Sequence, residues 1–497
     1  MGKVVELAKK YKTQLILTAI VIIGFLLRLI TIDSPDGLWC DEAYSWWVST
    51  LSFPFEIIEE LERNDYHPPL YHFMLHFWMK LFGDSDVTIR LLSVLFSTGT
   101  IIVSYFIGKK LKDENCGLIC AALNAFLLFN LIHAKEIRFY TPSVTFAALS
   151  LLFTIKVFDE EKITKPLIGL VISNALLIYT LTTGAFFVAI ANFILLIFLV
   201  IYKRDKIEEF LLSQLAMFFI CTPQMFFMFS QFLRSRSSDP WTNMPLDPFL
   251  IFEYTRKAFM FQLNEFYGGM FTFLAVVLLV AILTALFKIF FSRNQKFWLM
   301  LLIFCSYFAF LFTTTYFKIM PLGFNYIGIF IMMFMLVISF LITEYKYNFA
   351  SVLFCAIFLI EIYFGYWAHA MDHELGAFSK TYGYKWVATF IEEEGYGKDA
   401  LINMGWGERT ARYLGNGAKI LTGDNTIDKI PVGSHFIIVA STDFENNESA
   451  EKRNLKLYND MKNDERFKKV LISEDLSEKE QKKRLGIYKL AIFERIE

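Results

Sequence analysis

Apolar residues fall in long, almost uninterrupted runs. They show neither the two-residue alternation of a half-buried strand nor the stripe of a soluble helix. Runs of spanning length cover roughly 14–32, 87–108, 115–133, 139–157, 166–182, 184–202, 208–230, 269–291, 297–316, 320–343 and 349–367. Each approaches the ~20 apolar residues that cross a bilayer core as a helix, so the pattern predicts about eleven transmembrane helices. The first run follows Lys9, Lys10 and Lys12. It is longer than the apolar region of a signal peptide and no small-residue cleavage site follows, so it is expected to stay as a span.

One apolar stretch, "HPPLYHFMLHFWMKLFG" (67–83), is a little short to cross. His72, His76 and Lys80 recur every fourth residue and share one helical face, and Pro68 and Pro69 suit a helix start. A helix with one polar stripe and one Phe/Leu/Trp face is expected to lie in the interface. Charge placement agrees. If 67–83 does not cross, the basic linkers 108–112, 156–165, 202–206, 292–296 and 344–348 fall on one side with the Lys-rich N-terminus. The positive-inside rule makes that side cytoplasmic. The long first loop (33–86), a short second loop near 134–138, the loop 231–268 and everything after Trp367 then share the outer face of the cell membrane.

The tail changes character. "YKWVATFIEEEG" reads as an amphipathic helix and "ESAEKRNLKLYNDMKNDER" as a charged one, while "DALINM", "HFIIVA", "KKVLIS" and "GIYKLAIFERI" read as short strands. The expected organisation is a polytopic α-helical membrane domain over 1–367 and a small extracytoplasmic α/β domain over 368–497.

Composition supports the membrane reading: 55% of the 497 residues are hydrophobic, 55 are Phe, and only 20% are charged. A net charge of -1 without a basic stripe gives no footprint for nucleic acid. Cys40, Cys116, Cys120, Cys221, Cys305 and Cys355 are scattered and form neither a disulfide framework nor a thiolate metal site. Cys116 and Cys120 have helical spacing inside a span and read as small hydrophobes.

Against this background a few polar residues stand out. In "GLWCDEAYSWW" (37–47), Asp41 and Glu42 sit among aromatics just beyond the first span. A solvated loop with interfacial Trp and Tyr explains them without chemistry; a general base at the membrane surface explains them with it. In "AKEIRFYTP" (134–142), Glu136 and Arg138 are either ordinary loop charges or a fork for phosphate. His67 is either a plain helix-start residue or a donor to a substrate phosphate or to Asp41. Arg28, late in the first span, reads as a cation snorkelling to the interface. Glu361, inside the last span, is costly there and is expected to pair with a cation between helices. Lys318, at the outer end of a span, either snorkels or meets a phosphate. Together these groups gather at the outer side of a hydrophobic bundle, which suits a substrate whose lipid chain lies among helices while its head group reacts at the surface.

These motifs resemble the GT-C membrane glycosyltransferases, and more closely the protein O-mannosyltransferase and aminoarabinose-transferase superfamily. "DEAY" is similar to the first-loop motif. "HPPLYHFMLHFWMKLFGDSDVTIRLLSVLFSTGTIIVSYFIGKKL" looks like the stretch that follows, and "KEIRFYTPSVTFAALSL" looks like the second-loop Glu-Ala-Arg-x-Tyr motif. The similarity covers about residues 20 to 160. It implies a GT-C type bundle and an inverting enzyme that moves a monosaccharide from a polyprenyl-monophosphate donor, such as dolichyl-phosphate mannose. Asp41 would be the base, with Glu42 supporting it. Glu136, Arg138 and Tyr140 would form the second-loop part of the site, and His67 would lie near the donor phosphate. The chain departs from the pattern at two places. "LIYTLTTGAFF" lacks a His that relatives carry, and Asn325 precedes Tyr326 where relatives have Arg; Lys318 and Arg138 are the cations left for that role.

The chemistry is self-consistent. A sugar phosphodiester already has a good leaving group, so cations to hold the departing charge and one base on the acceptor are enough. One displacement through an oxocarbenium-like state inverts the anomeric centre, by analogy with glycosidases. No cofactor is required; a divalent metal is compatible but not demanded, and no DxD motif on a soluble domain is present. The expected partners are a polyprenyl-phosphate-linked sugar, an acceptor protein, lipid or glycan, and membrane lipid. A transporter or flippase of a lipid-linked sugar is the alternative. It would place ionisable groups near the midplane of pseudo-symmetric halves, whereas these charges lie at one interface. A sensor or scaffold anchored by the bundle leaves the motif order unexplained.

Overall fold

The computed structural model describes residues 11–30, 32–33, 37–38, 40–237, 247–260, 293–320, 322–344, 384–397, 400–403, 410–414, 418–421, 427–441, 451–477, 480–481, 485 and 488–497. The apolar runs 269–291 and 349–367, and Glu361 in the second of them, lie outside the described residues. The chain forms two compact units: Met1–Ile32 with Val48–Met371, and Asp33–Trp47 with Asp372–Glu497.

Up to residue 344 the α-helices are α1 (Lys12–Leu29), α2 (Cys40–Thr50), α3 (Phe55–Asn64), α4 (Leu70–Phe82), α5 (Asp86–Leu111), α6 (Glu114–Phe126), α7 (Leu128–His133), α8 (Tyr140–Asp159), α9 (Thr164–Ile178), α10 (Thr182–Tyr202), α11 (Ile207–Ser237), α12 (Leu250–Met260), α13 (Gln295–Tyr316) and α14 (Gly328–Glu344). Among the described residues seven helices are long and apolar enough to cross a membrane: α1, α5, α8, α10, α11, α13 and α14; α9 is apolar but shorter. The chain is a multi-pass membrane protein.

The run 115–133, read as one span, is broken. Leu127 takes an extended conformation (φ -64, ψ 128) between α6 and α7. The last carbonyls of α6 then lose their intrahelical donors, and no water is at hand inside an apolar bundle. Arg28 replaces those donors. Its Nη1 donates to Ala125 O at 3.0 Å and to Gly24 O at 2.8 Å, Nη2 to Asn124 O at 3.0 Å, and Nε to Ser97 Oγ at 2.8 Å. The side chain is 0% exposed, so the snorkelling reading is corrected: Arg28 caps a broken helix, and its charge meets the negative end of that helix. Gly24 makes the approach possible. A Cβ there would stand 2.8 Å from Ile101 Cδ1 and 3.1 Å from the Ala125 Cβ. No Pro or Gly marks the break, which is why hydropathy passes over it.

The basic linkers meet at one end of the first unit. Lys109 pairs with Glu114 at 2.8 Å, Lys110 with Glu160 at 2.9 Å, Lys112 with Glu344 at 2.6 Å and Lys296 with Asp159 at 3.4 Å. Lys206 Nζ caps α8 by donating to Val157 O, Phe158 O and Glu160 O at 3.0, 3.0 and 2.7 Å. Thr13 Oγ1 donates to Glu114 at 2.7 Å, so α1 starts at this end and α5 finishes there. A single helix between them cannot cross without breaking that parity. The 13 residues of α4 rise about 20 Å, short of a ~30 Å core. The His72 and His76 side chains of α4 are buried in protein, while Phe77, Leu81 and Phe82 are exposed. The polar stripe therefore turns inward at His72 and His76, while Lys80 at its end is exposed.

In the second unit, β1 (Leu401–Asn403), β2 (Lys419–Leu421), β3 (His435–Ser441), β4 (Phe467–Ile472) and β5 (Tyr488–Arg495) form one sheet in the order β2-β1-β3-β5-β4. β1 runs parallel to β2 and β3, and β5 antiparallel to β3 and β4. Alternate residues Phe436 and Ile438 of β3 and Ala491 and Phe493 of β5 face a core with Tyr458 and Met461 of the helix Glu451–Lys462. Both strands are buried on both faces, Phe436–Ala440 and Leu490–Phe493 without interruption, which fits the short apolar runs that predicted them.

Replacing Arg28 by Met should strand the Ala125 carbonyl at about 1–3 kcal/mol and leave Asn124 O only its bond from Asn130 Nδ2 at 3.2 Å. Thermal unfolding in detergent is expected several degrees lower; an unchanged midpoint would show that the break needs no cap.

Candidate active site

The site in the first unit is built on two chain segments that other side chains hold by their carbonyls. Where the chain leaves α1, Lys135 Nζ donates to Ile30 O at 3.1 Å and Arg90 Nη1 to Ile32 O at 2.9 Å. Burial, with Arg90 and Arg28 nearby, pushes the Lys135 ammonium down to about 7. The second segment is 61–70. Gln231 Nε2 donates to Leu61 O, Asp65 O and His67 O at 3.4, 3.2 and 3.5 Å. Arg234 donates to Glu62 O and Asp65 O and lies over the Tyr66 ring. Thr182 Oγ1 donates to Tyr66 O at 3.2 Å, and Leu70 N to Tyr179 O at 3.1 Å.

Held this way, His67 becomes the centre of a buried polar group. Its Nδ1 donates to Asp65 Oδ1 at 2.5 Å, and its Nε2 is hydrogen-bonded to Tyr326 Oη at 3.1 Å. The His67 ring stacks on Phe139 at 4.2 Å and lies parallel to the Tyr326 ring at 6.0 Å. Burial works to raise the Asp65 carboxyl, but His67, then Arg138 and His72, hold it well below the usual carboxylate range. His72 is the opposite case: burial pushes it down to about 3, which leaves it neutral.

The turn 134–139 delivers the second loop. It is buried throughout, and Ser93 Oγ donates to Glu136 O at 2.7 Å. Arg138 lies over the rings of Phe139 and Tyr140, at 5.0 and 5.9 Å, and Tyr140 meets Tyr326 edge-on at 5.7 Å. Asn325, which stands where the resembling family has Arg, pairs through Oδ1 with His133 Nε2 at 3.2 Å.

Beside this group opens a cavity of about 670 Å³. Tyr66, His67, Thr182, Thr183, Gln231 and Tyr326 line its polar end; Leu181, Phe186, Val188, Met217, Phe218, Met225, Met228, Phe229 and Leu311 line the rest. Along α11 the lining reaches from Gln231 to Gln214. That distance is about 25 Å of helix, close to the ~30 Å thickness of a hydrocarbon core. The cavity is thus a slot as long as a membrane leaflet is deep, or longer, and its walls are apolar.

The structure brings His67, Arg138 and Tyr140 together and adds Asp65, Phe139 and Tyr326. Lys318 is exposed in the turn after α13 at φ 55, while its neighbours Ile319 and Met320 line the cavity. Asp41 and Glu42 belong to the second unit. They stand in the first turn of α2 rather than in a loop, Asp41 half-buried and Glu42 buried, a placement that suits carboxylates because a helix N-terminus carries partial positive charge. Sequence reasoning missed Asp65, whose only signal is its place two residues before His67. Gln231 and Arg234 carried no signal. Among the described residues, no three His, Cys, Asp or Glu side chains gather as metal ligands.

Asp65→Asn keeps the shape and removes the charge facing His67. A hydrogen bond to a charged group contributes about 1.5–3 kcal/mol. Because the carboxyl is depressed in the fold, its contribution is complete above the unfolded value of about 4 and fades as pH falls towards the lower folded one. Thermal unfolding should separate wild type from Asp65→Asn at pH 7, and the gap should close only in strong acid. A gap already closed at pH 5 would contradict the ionised pair.

Residues 66–227 match the family described as dolichyl-phosphate-mannose-protein mannosyltransferase. ArnT from Cupriavidus metallidurans in the apo state has a similar structure, with TM-score 0.61 and 11% identity over 98% of each chain. ArnT bound to undecaprenyl phosphate gives 0.58 and 11%, over 97% of this chain and 98% of that one. The Archaeoglobus fulgidus oligosaccharyltransferase tethered with an acceptor peptide gives 0.52 and 10%, over 84% of this chain and 65% of that one. No curated protein matches the chain. The family match covers the segment that carries His67, Glu136, Arg138 and Tyr140, and the fold is shared with ArnT over nearly the whole of both chains.

Proposed function

We propose that this chain transfers a monosaccharide from a polyprenyl-monophosphate donor to an acceptor hydroxyl at the outer face of the membrane, with inversion. One observation carries the reading: an apolar slot of about 670 Å³ that ends on His67 and Tyr326. A lipid phosphate has that shape, a long apolar chain with one anionic head. The structure of ArnT bound to undecaprenyl phosphate, which shares the fold, supports it.

In this reading the prenyl chain lies between α10 and α11. The phosphate meets His67, Tyr326 and Arg138, with Tyr140 shaping the wall; Lys318 is a further cation beside the cavity, and Glu136 orders the second loop. As the bond between anomeric carbon and phosphate oxygen breaks, its electron pair goes to the phosphate, and fixed cations hold that charge without reorganising. Asp41 takes the proton of the acceptor hydroxyl as the new bond forms on the opposite face of the sugar, and Glu42 orients it. The second unit, and with it the acceptor side, stands on the outer face.

The test is to incubate purified protein in detergent with a panel of polyprenyl-phosphate sugars and acceptors. Protein-dependent loss of sugar from one donor is expected; a flippase would leave every donor intact. With the accepted donor, Asp41→Asn should lose about 10² to 10⁴ in rate and keep donor binding. Arg138→Ala should weaken donor use, and Arg138→Lys should restore only part, because Lys keeps the charge and loses the fork. Near-wild-type transfer by Asp41→Asn would move the base to Glu42 or Glu136.

A further inference from the structure

The second unit contains a clamp that the proposed reaction has not yet used. The turn Thr410–Leu414 packs against the segment that carries Asp41. Tyr413 Oη accepts a hydrogen bond from Leu38 N at 2.7 Å, and Leu38 is 0% exposed, so no water can replace that acceptor. Gly37, at φ +78, lets the chain come this close; a Cβ there would stand 2.7 Å from Tyr413 Oη and 3.0 Å from Lys385 Cβ. The Arg412 guanidinium lies over the Trp46 ring at 4.4 Å. Lys385 Nζ is 3.9 Å from Asp33. Leu38 lies three residues before Asp41, ahead of α2, and Trp46 follows Glu42 by one turn on the same face of α2. The grip is therefore applied on both sides of the two carboxylates.

We infer that Arg412 and Tyr413 are positioning residues for Asp41, and that setting the base is a task of the C-terminal unit in this chain. The inference rests on the reading of Asp41 as the base. The physical reason is the sensitivity of proton transfer to geometry. A base must stay within hydrogen-bond reach of the hydroxyl it deprotonates, so the contacts that fix the segment entering α2 and the Trp46 ring bear on where Asp41 stands. Tyr413 fixes the backbone just before the helix and Arg412 fixes the ring just after its first turn. The remaining freedom of α2 about Asp41 is small as a result.

The test uses the full chain in detergent with its accepted donor and acceptor. Tyr413→Phe removes only the hydroxyl, and Arg412→Ala removes the guanidinium that lies over the Trp46 ring at 4.4 Å and the Tyr413 ring at 5.7 Å. Each should lower kcat about tenfold and leave the donor KM within about twofold, because neither touches the slot that binds the donor. Arg412→Lys should recover part of the rate, since it restores charge but not the flat stack. In an Asp41→Asn background, Tyr413→Phe should cost nothing further: no base is left to aim. Wild-type kcat in Tyr413→Phe and Arg412→Ala, with Asp41→Asn inactive, overturns this inference alone. So does an equal loss in the Asp41→Asn background, which marks general damage to the fold. Full transfer by Asp41→Asn overturns the base assignment and this inference with it.

Discussion

Carbonyl groups that lose their helical partners inside a membrane protein need donors, and most of this fold follows from how they get them. Arg28 caps α6 through Asn124 and Ala125, Lys206 caps α8, and Arg90 and Lys135 grip Ile32 and Ile30. Gln231 and Arg234 take the carbonyls of 61–67. Each is a long side chain whose polar end reaches a backbone it is far from in sequence. The break that Arg28 stabilises sets the direction of α7, and α7 leads straight into the buried turn with Glu136 and Arg138. The same arrangement that lets the third apolar run break thus delivers half of the site.

The polar group around His67 is costly to build in such a setting, and its partners explain how it persists. Asp65 is faced by His67, with Arg138 in range, and His67 is closed on its other side by Tyr326. In the proposed reaction an anion arriving by way of the slot would meet His67 and Tyr326, which Asp65 and Phe139 hold in place, with Arg138 stacked on Phe139 and Tyr140 close by. Preorganisation of this kind stabilises departing phosphate charge without a conformational cost at the moment of reaction.

Much of this was legible in the chain, and what was not has specific causes. The His72/His76 stripe on a short apolar helix pointed to α4, and the short apolar runs of "HFIIVA" and "GIYKLAIFERI" pointed to β3 and β5. The strand Lys419–Leu421 escaped: it is three residues long and mostly exposed, whereas the equally short Leu401–Asn403 is buried throughout. The break at Leu127 escaped because hydropathy reads composition, and an extended Leu between two apolar helices has the composition of a span. Arg28 was misread for the same reason: its partners are carbonyls, which have no letter in a sequence. Asp65 looked like loop charge, and only the fold shows that it faces His67. His67, Arg138 and Tyr140 were found through motif order rather than through physics, and the geometry then gave them a common address.

The central claim is that the slot beside His67 receives the lipid chain of the donor. The most direct measurement is photolabelling of the purified protein with a benzophenone-bearing polyprenyl phosphate, followed by peptide mapping. The account predicts label on Ala189, Met217, Phe218 and Met225, which line the slot, and its loss when unlabelled polyprenyl phosphate competes. Label confined to exposed positions outside the slot, such as Phe193, Phe219 and Phe226, and indifferent to competition, would contradict it.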